Sequence, residues 1–445
     1  MVPFRTAVRT WFAISLQTFG GPAGQIAVMQ RVLVDELRWI GPQRFLHALN
    51  YCMLLPGPEA QQLAIYTGWL LNGLRGGLAA GVLFVLPGMA ALLVLSALYV
   101  GLGDSELVDV FFLGLAPAVI AIVLHALIRI AKRALHSVSL VALALTAFIA
   151  LTAFAVPFPA VVLGAAVAGW VLGRLRPGFA SPASLLGTDE GRAPLISDDQ
   201  LHHQQPSVRR GATILVVGVA LWFAPLAAVA LLVSPTGVLI DLGLFFSGAA
   251  LITFGGAYAV LAYVAQQAVA VYGWLAPGEM VRGLALAETT PGPLIMVVQF
   301  VAFLGAFRDP GSLDPWVAAV IASLLVTWVT FVPCFLFILL GAPYVERLRH
   351  NRQLAAALSG ITAAVVGVIA NLAVYFALHT LFAETQDLGS DWFGLELPVL
   401  SSVQWAEVAV ALFAAGLIFG RKLSVLKTLG VCALMGPALW LLGAR

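Results

Sequence analysis

The chain has 445 residues, of which 61% are hydrophobic and only 10% charged, and it carries a net charge of +2. Soluble domains hold about a quarter charged residues, so this composition cannot cover a water-exposed surface of this size, and lipid must solvate much of it. The near-neutral balance speaks against a nucleic-acid partner. The cysteines Cys52, Cys334 and Cys432 lack paired spacing, and the histidines form neither an HExxH motif nor a Cys/His cluster, so no metal, cofactor or disulfide framework is expected.

In chain order, the first apolar stretch, 10–30, is interrupted at Gly20-Gly21-Pro22, and the second, 45–71, at Pro56-Gly57-Pro58. No cleavage site follows the first one. Uninterrupted runs follow at 76–100, 107–128, 137–155 and 158–173, close to the ~20 residues that cross a bilayer. Residues 174–210 mix Pro, Gly, Ser and His with both signs of charge and read as a linker. A single span, 211–233, comes next. The stretch 238–267 is then broken at Gly255-Gly256, and 279–305 at Pro291-Gly292-Pro293. Spans at 315–340, 354–379, 403–420 and 424–442 complete the chain.

The interrupted stretches form an internal repeat. A constant offset of 235 carries Thr18-Phe19-Gly20-Gly21 onto Thr253-Phe254-Gly255-Gly256, Trp39 onto Trp274, Pro42 onto Pro277, and Pro56-Gly57-Pro58 onto Pro291-Gly292-Pro293. Apolar helices align with almost anything through Leu and Ala, but not through Trp, paired Gly and Pro-Gly-Pro in one order. The expected fold is an all-α polytopic membrane protein with two inverted-topology repeats and discontinuous or re-entrant helices. Its expected divisions are an N-terminal repeat (1–173), a cytoplasmic linker (174–210), an inverting transmembrane helix (211–233) and a C-terminal repeat (234–445).

Lys and Arg mark cytoplasmic loops. With Arg5 and Arg9 inside, the acidic loop 101–109 falls outside, and the cluster Arg129, Lys132 and Arg133 falls inside. The linker, loop 341–353 (Arg347, Arg349, Arg352) and loop 421–427 (Arg421, Lys422, Lys427) also fall inside. The acidic loop 380–402 and the C-terminus fall outside. Parity allows thirteen crossings if the broken segments span, or nine if they re-enter; Arg31, Arg38 and Arg44 fit re-entry better.

A broken helix leaves unpaired N–H groups and a positive dipole end in low dielectric. Irregular backbone at that depth is tolerated only where protein or a water-filled cavity satisfies it. Four breaks in repeat-related positions suit an anion with several acceptor oxygens; the alternative is that Gly and Pro merely permit kinks and close packing. Candidate binding residues are Gly20, Gly21, Pro22, Gln25, Pro56, Gly57, Pro58, Gln62, Gly255, Gly256, Tyr258, Thr289, Thr290, Pro291, Gly292 and Pro293. Glu59 and Glu288 are candidates to carry a coupling ion, because an ionisable side chain inside a membrane marks a functional site by default. No residue is assigned a catalytic role.

These residues resemble the chromate ion transporter family in its long, two-domain form. The first-half likeness lies in Phe19-Gly20-Gly21-Pro22, Trp39-Ile40, Leu55-Pro56-Gly57-Pro58, Gln62 through Gly68, and Phe84-Val85-Leu86-Pro87. The second-half likeness lies in Phe254-Gly255-Gly256, Gly273-Trp274-Leu275, Thr290-Pro291-Gly292-Pro293 and Phe331-Val332-Pro333. The resemblance implies a secondary transporter, not an enzyme, that exports chromate across the inner (cytoplasmic) membrane and confers chromate resistance, with sulfate as a related anion. The implied partners are a small oxyanion and the lipid bilayer, with a homodimer as an open option. Rival readings are a sulfate or other small-oxyanion carrier, an anion channel, or an integral-membrane enzyme; no nucleophile–base pair and no G-x-x-x-x-G-K-[ST] motif supports the last or an ATP-driven pump. Ala257 stands where the repeat has Pro22, and Leu294 where it has Glu59, so the two halves are unequal.

Overall fold

The computed structural model describes residues 2–103, 105–175, 207–254, 256–341, 352–390 and 393–441. The chain begins with α1 (Phe4–Ser15) and α2 (Gly21–Gln30), the latter running into a π-helical turn, Arg31–Glu36. Then come α3 (Pro42–Cys52), α4 (Glu59–Leu102), α5 (Glu106–Ala134), α6 (Val138–Phe154) and α7 (Phe158–Leu175). Helix α8 (Val208–Leu232) lies between the two series in chain order. The second series is α9 (Val238–Ile252), α10 (Ala257–Gln266) with its own π-helical turn Gln267–Val271, α11 (Glu279–Thr289), and α12 (Val297–Arg308) after a 3-10 turn Leu294–Met296. It ends with α13 (Pro315–Gly341), α14 (Arg352–Leu381), α15 (Trp405–Ala415), which runs into a π turn Gly416–Gly420, and α16 (Val425–Leu441).

This is an all-α polytopic membrane protein. Six helices are long and apolar enough to cross a bilayer, and shorter apolar helices accompany them. Their outer faces are apolar: along α8 alone Leu215, Val216, Leu221, Leu231 and Leu232 are exposed. Such surfaces are stable only against lipid.

The series repeat element by element. The offset of 235 carries the π turn at 31–36 onto residues 266–271, beside the π turn 267–271, and both turns end two residues before a left-handed residue, Arg38 (φ 52) and Gly273 (φ 64). Helix α4 is bent by Asn72 and Gly73, which leave helical geometry. Its first arm, 59–71, thereby corresponds to the 3-10 turn and α12, and its second arm to α13.

The broken elements are short. Helices α1, α2, α3, α9, α10, α11 and α12 have between 10 and 15 residues each, about half to three quarters of a bilayer crossing. Glu279 opens α11 and Arg308 closes α12, yet the two form an ion pair at 2.7 Å. The segment between them therefore enters and leaves by one face. Arg308 also donates to the carbonyl of Trp274 at 3.1 Å, so the α10–α11 connection lies at that same face. In the first half Asn72 donates to the carbonyl of Val2 at 2.7 Å, which brings the bend of α4 beside the start of the chain. Re-entrant hairpins account for both contacts.

The halves are interlocked. Helix α14 lies on α6 and α7 of the first half, α5 lies on α15 and α16 of the second, and α5 and α14 touch. Close crossings between the halves are glycine-made and fall on corresponding helix pairs: Gly114 of α5 meets the backbone at Cys432 and Gly436 of α16, and Gly360 of α14 meets Ala165 and Gly169 of α7. Small residues let membrane helices approach this closely.

The loop expected at 380–402 contains an antiparallel hairpin, Thr385–Ser390 with Phe393–Pro398, joined through pairs such as Leu388 with Leu395. Most of the linker 174–210 lies outside the described residues, as do Arg347, Arg349 and Asp104.

Candidate functional site

The four breaks meet. Each is a sharp departure from helical geometry at glycine: Gly20 (φ 79) and Gly21 (φ 71) at the start of α2, Gly57 (φ 116) before α4, Gly256 (φ 104) before α10, and Gly292 (φ 105) before the turn leading to α12. Proline follows at Pro22, Pro58 and Pro293, where a missing N–H is harmless at a helix start. Two hydrogen bonds cross between the halves: the Gly57 amide donates to the carbonyl of Thr253 at 2.7 Å, and the Gly292 amide donates to the carbonyl of Thr18 at 2.9 Å. These bonds are related by the sequence repeat, since Gly57 corresponds to Gly292 and Thr18 to Thr253. Each half thus fastens its Pro-Gly-Pro loop to the Thr-Phe-Gly-Gly loop of the other.

Between the loops lies a cleft lined by Pro22, Gln25, Pro58, Glu59, Ala60, Gly256, Ala257, Pro293, Leu294 and Ile295. All four breaks contribute. The first amides of α2, α4, α10 and the 294–308 segment have no acceptor one turn earlier, and their dipoles make the surroundings favourable to negative charge. The cleft is narrow, with room for about one water molecule.

Polar side chains brace it. Gln25, buried, donates to the carbonyl of Gly292 in the opposite half. Gln62, also buried, donates at 2.6 Å to the carbonyl of Pro56 in its own loop. Tyr258 donates at 2.6 Å to Oε1 of Glu288, joining the start of α10 to the end of α11. A Cβ on Gly21 would lie 3.8 Å from that tyrosine oxygen, so the pair abuts the first break. Oε2 of Glu288 is buried and has no hydrogen-bond partner. Glu59 opens α4 on the cleft wall.

Of the residues singled out in the sequence, Pro22, Gln25, Pro58, Glu59, Gly256 and Pro293 line the cleft. Gly20, Gly21, Pro56, Gly57, Gln62, Tyr258, Glu288, Pro291 and Gly292 support it from behind. Thr289 and Thr290 turn their hydroxyls back onto the carbonyls of Leu286 and Ala287, capping α11 instead of facing the cleft. Gly255 lies outside the described residues. Sequence reasoning gave no role to Thr18 and Thr253, although both stand inside the repeated motif. It also read Arg129 as a loop residue. Helix α5 runs on to Ala134, and the charge of Arg129 acts on both Glu288 and Tyr258.

The described residues hold no group of His, Cys, Asp and Glu suited to a metal ion. No solved structure matches the chain at a significant level. The chromate transport protein of Pseudomonas aeruginosa is 32% identical over 432 residues, covering 95% of this chain and 89% of its own length. The chromate transport protein of Cupriavidus metallidurans is 27% identical, covering 85% of this chain and 83% of its own length. A probable chromate transport protein of Synechococcus elongatus is also 27% identical, covering 91% and 92%. The chromate transporter family matches residues 5–170 and 240–437, on either side of α8. With both halves matched and a relative this similar over nearly its whole length, the chain belongs to the chromate transporter family.

Proposed function

We propose that the protein is a secondary transporter that exports chromate across the cytoplasmic membrane, and that the anion binds where the four broken helices meet. The observation that carries this reading is the cleft itself, walled by all four breaks and fastened by the reciprocal Gly57–Thr253 and Gly292–Thr18 bonds. Helix starts from both halves line one cleft, and their positive dipole ends favour a tetrahedral oxyanion over a cation or a neutral solute. The cleft must widen to seat such an ion, as an alternating-access cycle requires.

In this reading residues 1–173 and 234–445 are the two transport repeats, and α8, crossing once, inverts the second relative to the first. The N-terminus then lies in the cytoplasm and the C-terminus outside, with Arg5, Arg9, Lys132 and Arg133 inside and Glu384, Asp387 and Glu396 outside. Export needs no nucleotide. Each charge gives about 2.3 kcal/mol per 100 mV, so a dianion leaving a cell at about 150 mV gains about 7 kcal/mol, or about five decades of gradient. Chromate resistance follows from export against that gradient. Sulfate, of the same shape and charge, is the expected competitor.

The test is uptake of labelled chromate into everted membrane vesicles. The reading expects saturable uptake that depends on this chain and is reduced by sulfate. Uptake only into right-side-out vesicles would reverse the direction; unsaturable current would replace the carrier with a channel.

A further inference from the structure

We infer that Glu288 takes up one proton for each chromate carried, so that anion and proton cross together. This inference rests on the transport reading above and concerns the same site. Glu288 is 2% exposed, and its two oxygens have different surroundings. Oε1 accepts the Tyr258 hydroxyl, whereas Oε2 is buried with no donor within reach. An ionised carboxylate oxygen left unpartnered in apolar surroundings is costly, and a proton on Oε2 removes that charge in place. The cleft receives a dianion, and a second negative charge behind its wall repels it across low dielectric. Loading with the anion therefore favours a protonated Glu288, and departure of the anion favours its release.

The groups that act on Glu288 fit both states. Tyr258 on α10 donates to it, a bond that the ionised form accepts when the cleft is empty, and Arg129 on α5 is the cation whose charge reaches the pair. Glu59, at the head of α4, is the other carboxyl at the site. It lines the cleft directly and stands in the first turn of its helix. Glu288, with its unpartnered Oε2, is the carboxyl assigned the proton, and it exchanges that proton with water on either side. The proton enters at Oε2 from the cytoplasmic side with the anion and leaves to water outside with it. One net charge then crosses per cycle instead of two, so the potential supports about half as many decades of gradient as for a bare dianion.

The experiment uses the full chain in liposomes with labelled chromate, an imposed potassium diffusion potential and an imposed pH gradient, in alkaline medium so that the free anion is the dianion. In the wild type the equilibrium chromate ratio should change about tenfold for each unit of pH gradient, and its logarithm should follow the potential with half the slope of a bare dianion. Glu288→Gln keeps the shape of the protonated group; it should still move chromate, but with the full dianion slope and no response to the pH gradient. Chromate movement in the wild type that ignores the pH gradient overturns the inference while leaving chromate transport standing. A Glu288→Gln protein that keeps the pH response, or that inserts but moves no chromate, overturns the assignment to Glu288. Absence of any chromate flux overturns the transport reading, and this inference with it.

Discussion

Replacing Gly57 with alanine strikes the site at one of its two cross-half fastenings. Gly57 sits at φ 116, where a residue with a Cβ is strained by about 1–3 kcal/mol. The new methyl group would lie 2.9 Å from both Sγ of Cys334 and Nε2 of Gln62, two fully buried side chains. Cys334 is held in α13, and Gln62 is committed to the carbonyl of Pro56, so neither gives way freely. Displacing that bond adds about 1 kcal/mol. The whole cost is about 2–4 kcal/mol, and if it falls on the loaded site, flux drops by between about thirtyfold and nearly a thousandfold. Gly292 provides the internal comparison. It has a similar φ of 105, but its nearest neighbour, Cα of Gly88, would be 3.4 Å away, an ordinary contact. Gly292→Ala therefore bears the strain alone and should be the milder lesion. In the Gly57→Ala background, Cys334→Ala removes one of the two collisions and should recover about tenfold of the lost flux. The assay is chromate uptake into everted vesicles, normalised to inserted protein. Wild-type flux in both glycine variants, or a milder effect at Gly57 than at Gly292, would refute the reasoning.

Gln25→Leu leaves the buried carbonyl of Gly292 without its cross-half donor, at about 1–3 kcal/mol; chromate affinity should fall by about tenfold or more, read by equilibrium binding. Glu279→Gln breaks a bidentate pair with Arg308 and weakens bonds from Tyr99 and the Ala276 amide. Since Arg308 is 45% exposed, the expected loss is about 1–3 kcal/mol, below that of a fully buried pair, and shows as a lower Tm in detergent. Asp109→Asn, which removes a pair with Arg282 whose acid is 61% exposed, should cost under about 1 kcal/mol in the same assay and less at high salt. Gly360→Val forces a side chain into the backbone of α7 and should prevent the halves from docking, seen as loss of folded protein in the membrane.

The breaks were legible in the sequence because Gly-Gly and Pro-Gly-Pro interrupt helical geometry and here occur twice in one pattern, with Trp39 and Trp274 fixing the register. Their convergence was legible only as an expectation, since the bonds that produce it are between main-chain groups, which any sequence can supply. Thr18 and Thr253 illustrate this: their carbonyls, not their hydroxyls, hold the opposite loops, while the hydroxyls bond to Ser15 and Ala249 one turn back. The pairing of Tyr258 with Glu288 joins residues thirty apart through a turn whose direction no local pattern gives. Arg129 was hidden by the rule that charge ends a span; long basic side chains at helix ends let α5 continue past it. The hairpin at 385–398 was masked by its own charges, Asp387 and Glu396, which face each other across the strands and read as a solvated loop.

The central claim is that one oxyanion site is built by the four breaks together. Equilibrium binding of labelled chromate to the purified protein tests it most directly, with wild type compared against Gly57→Ala from one half and Gln25→Leu, which releases the loop of the other. A single saturable site per chain, weakened by both changes, is the result expected. Undiminished chromate binding in both variants would contradict it.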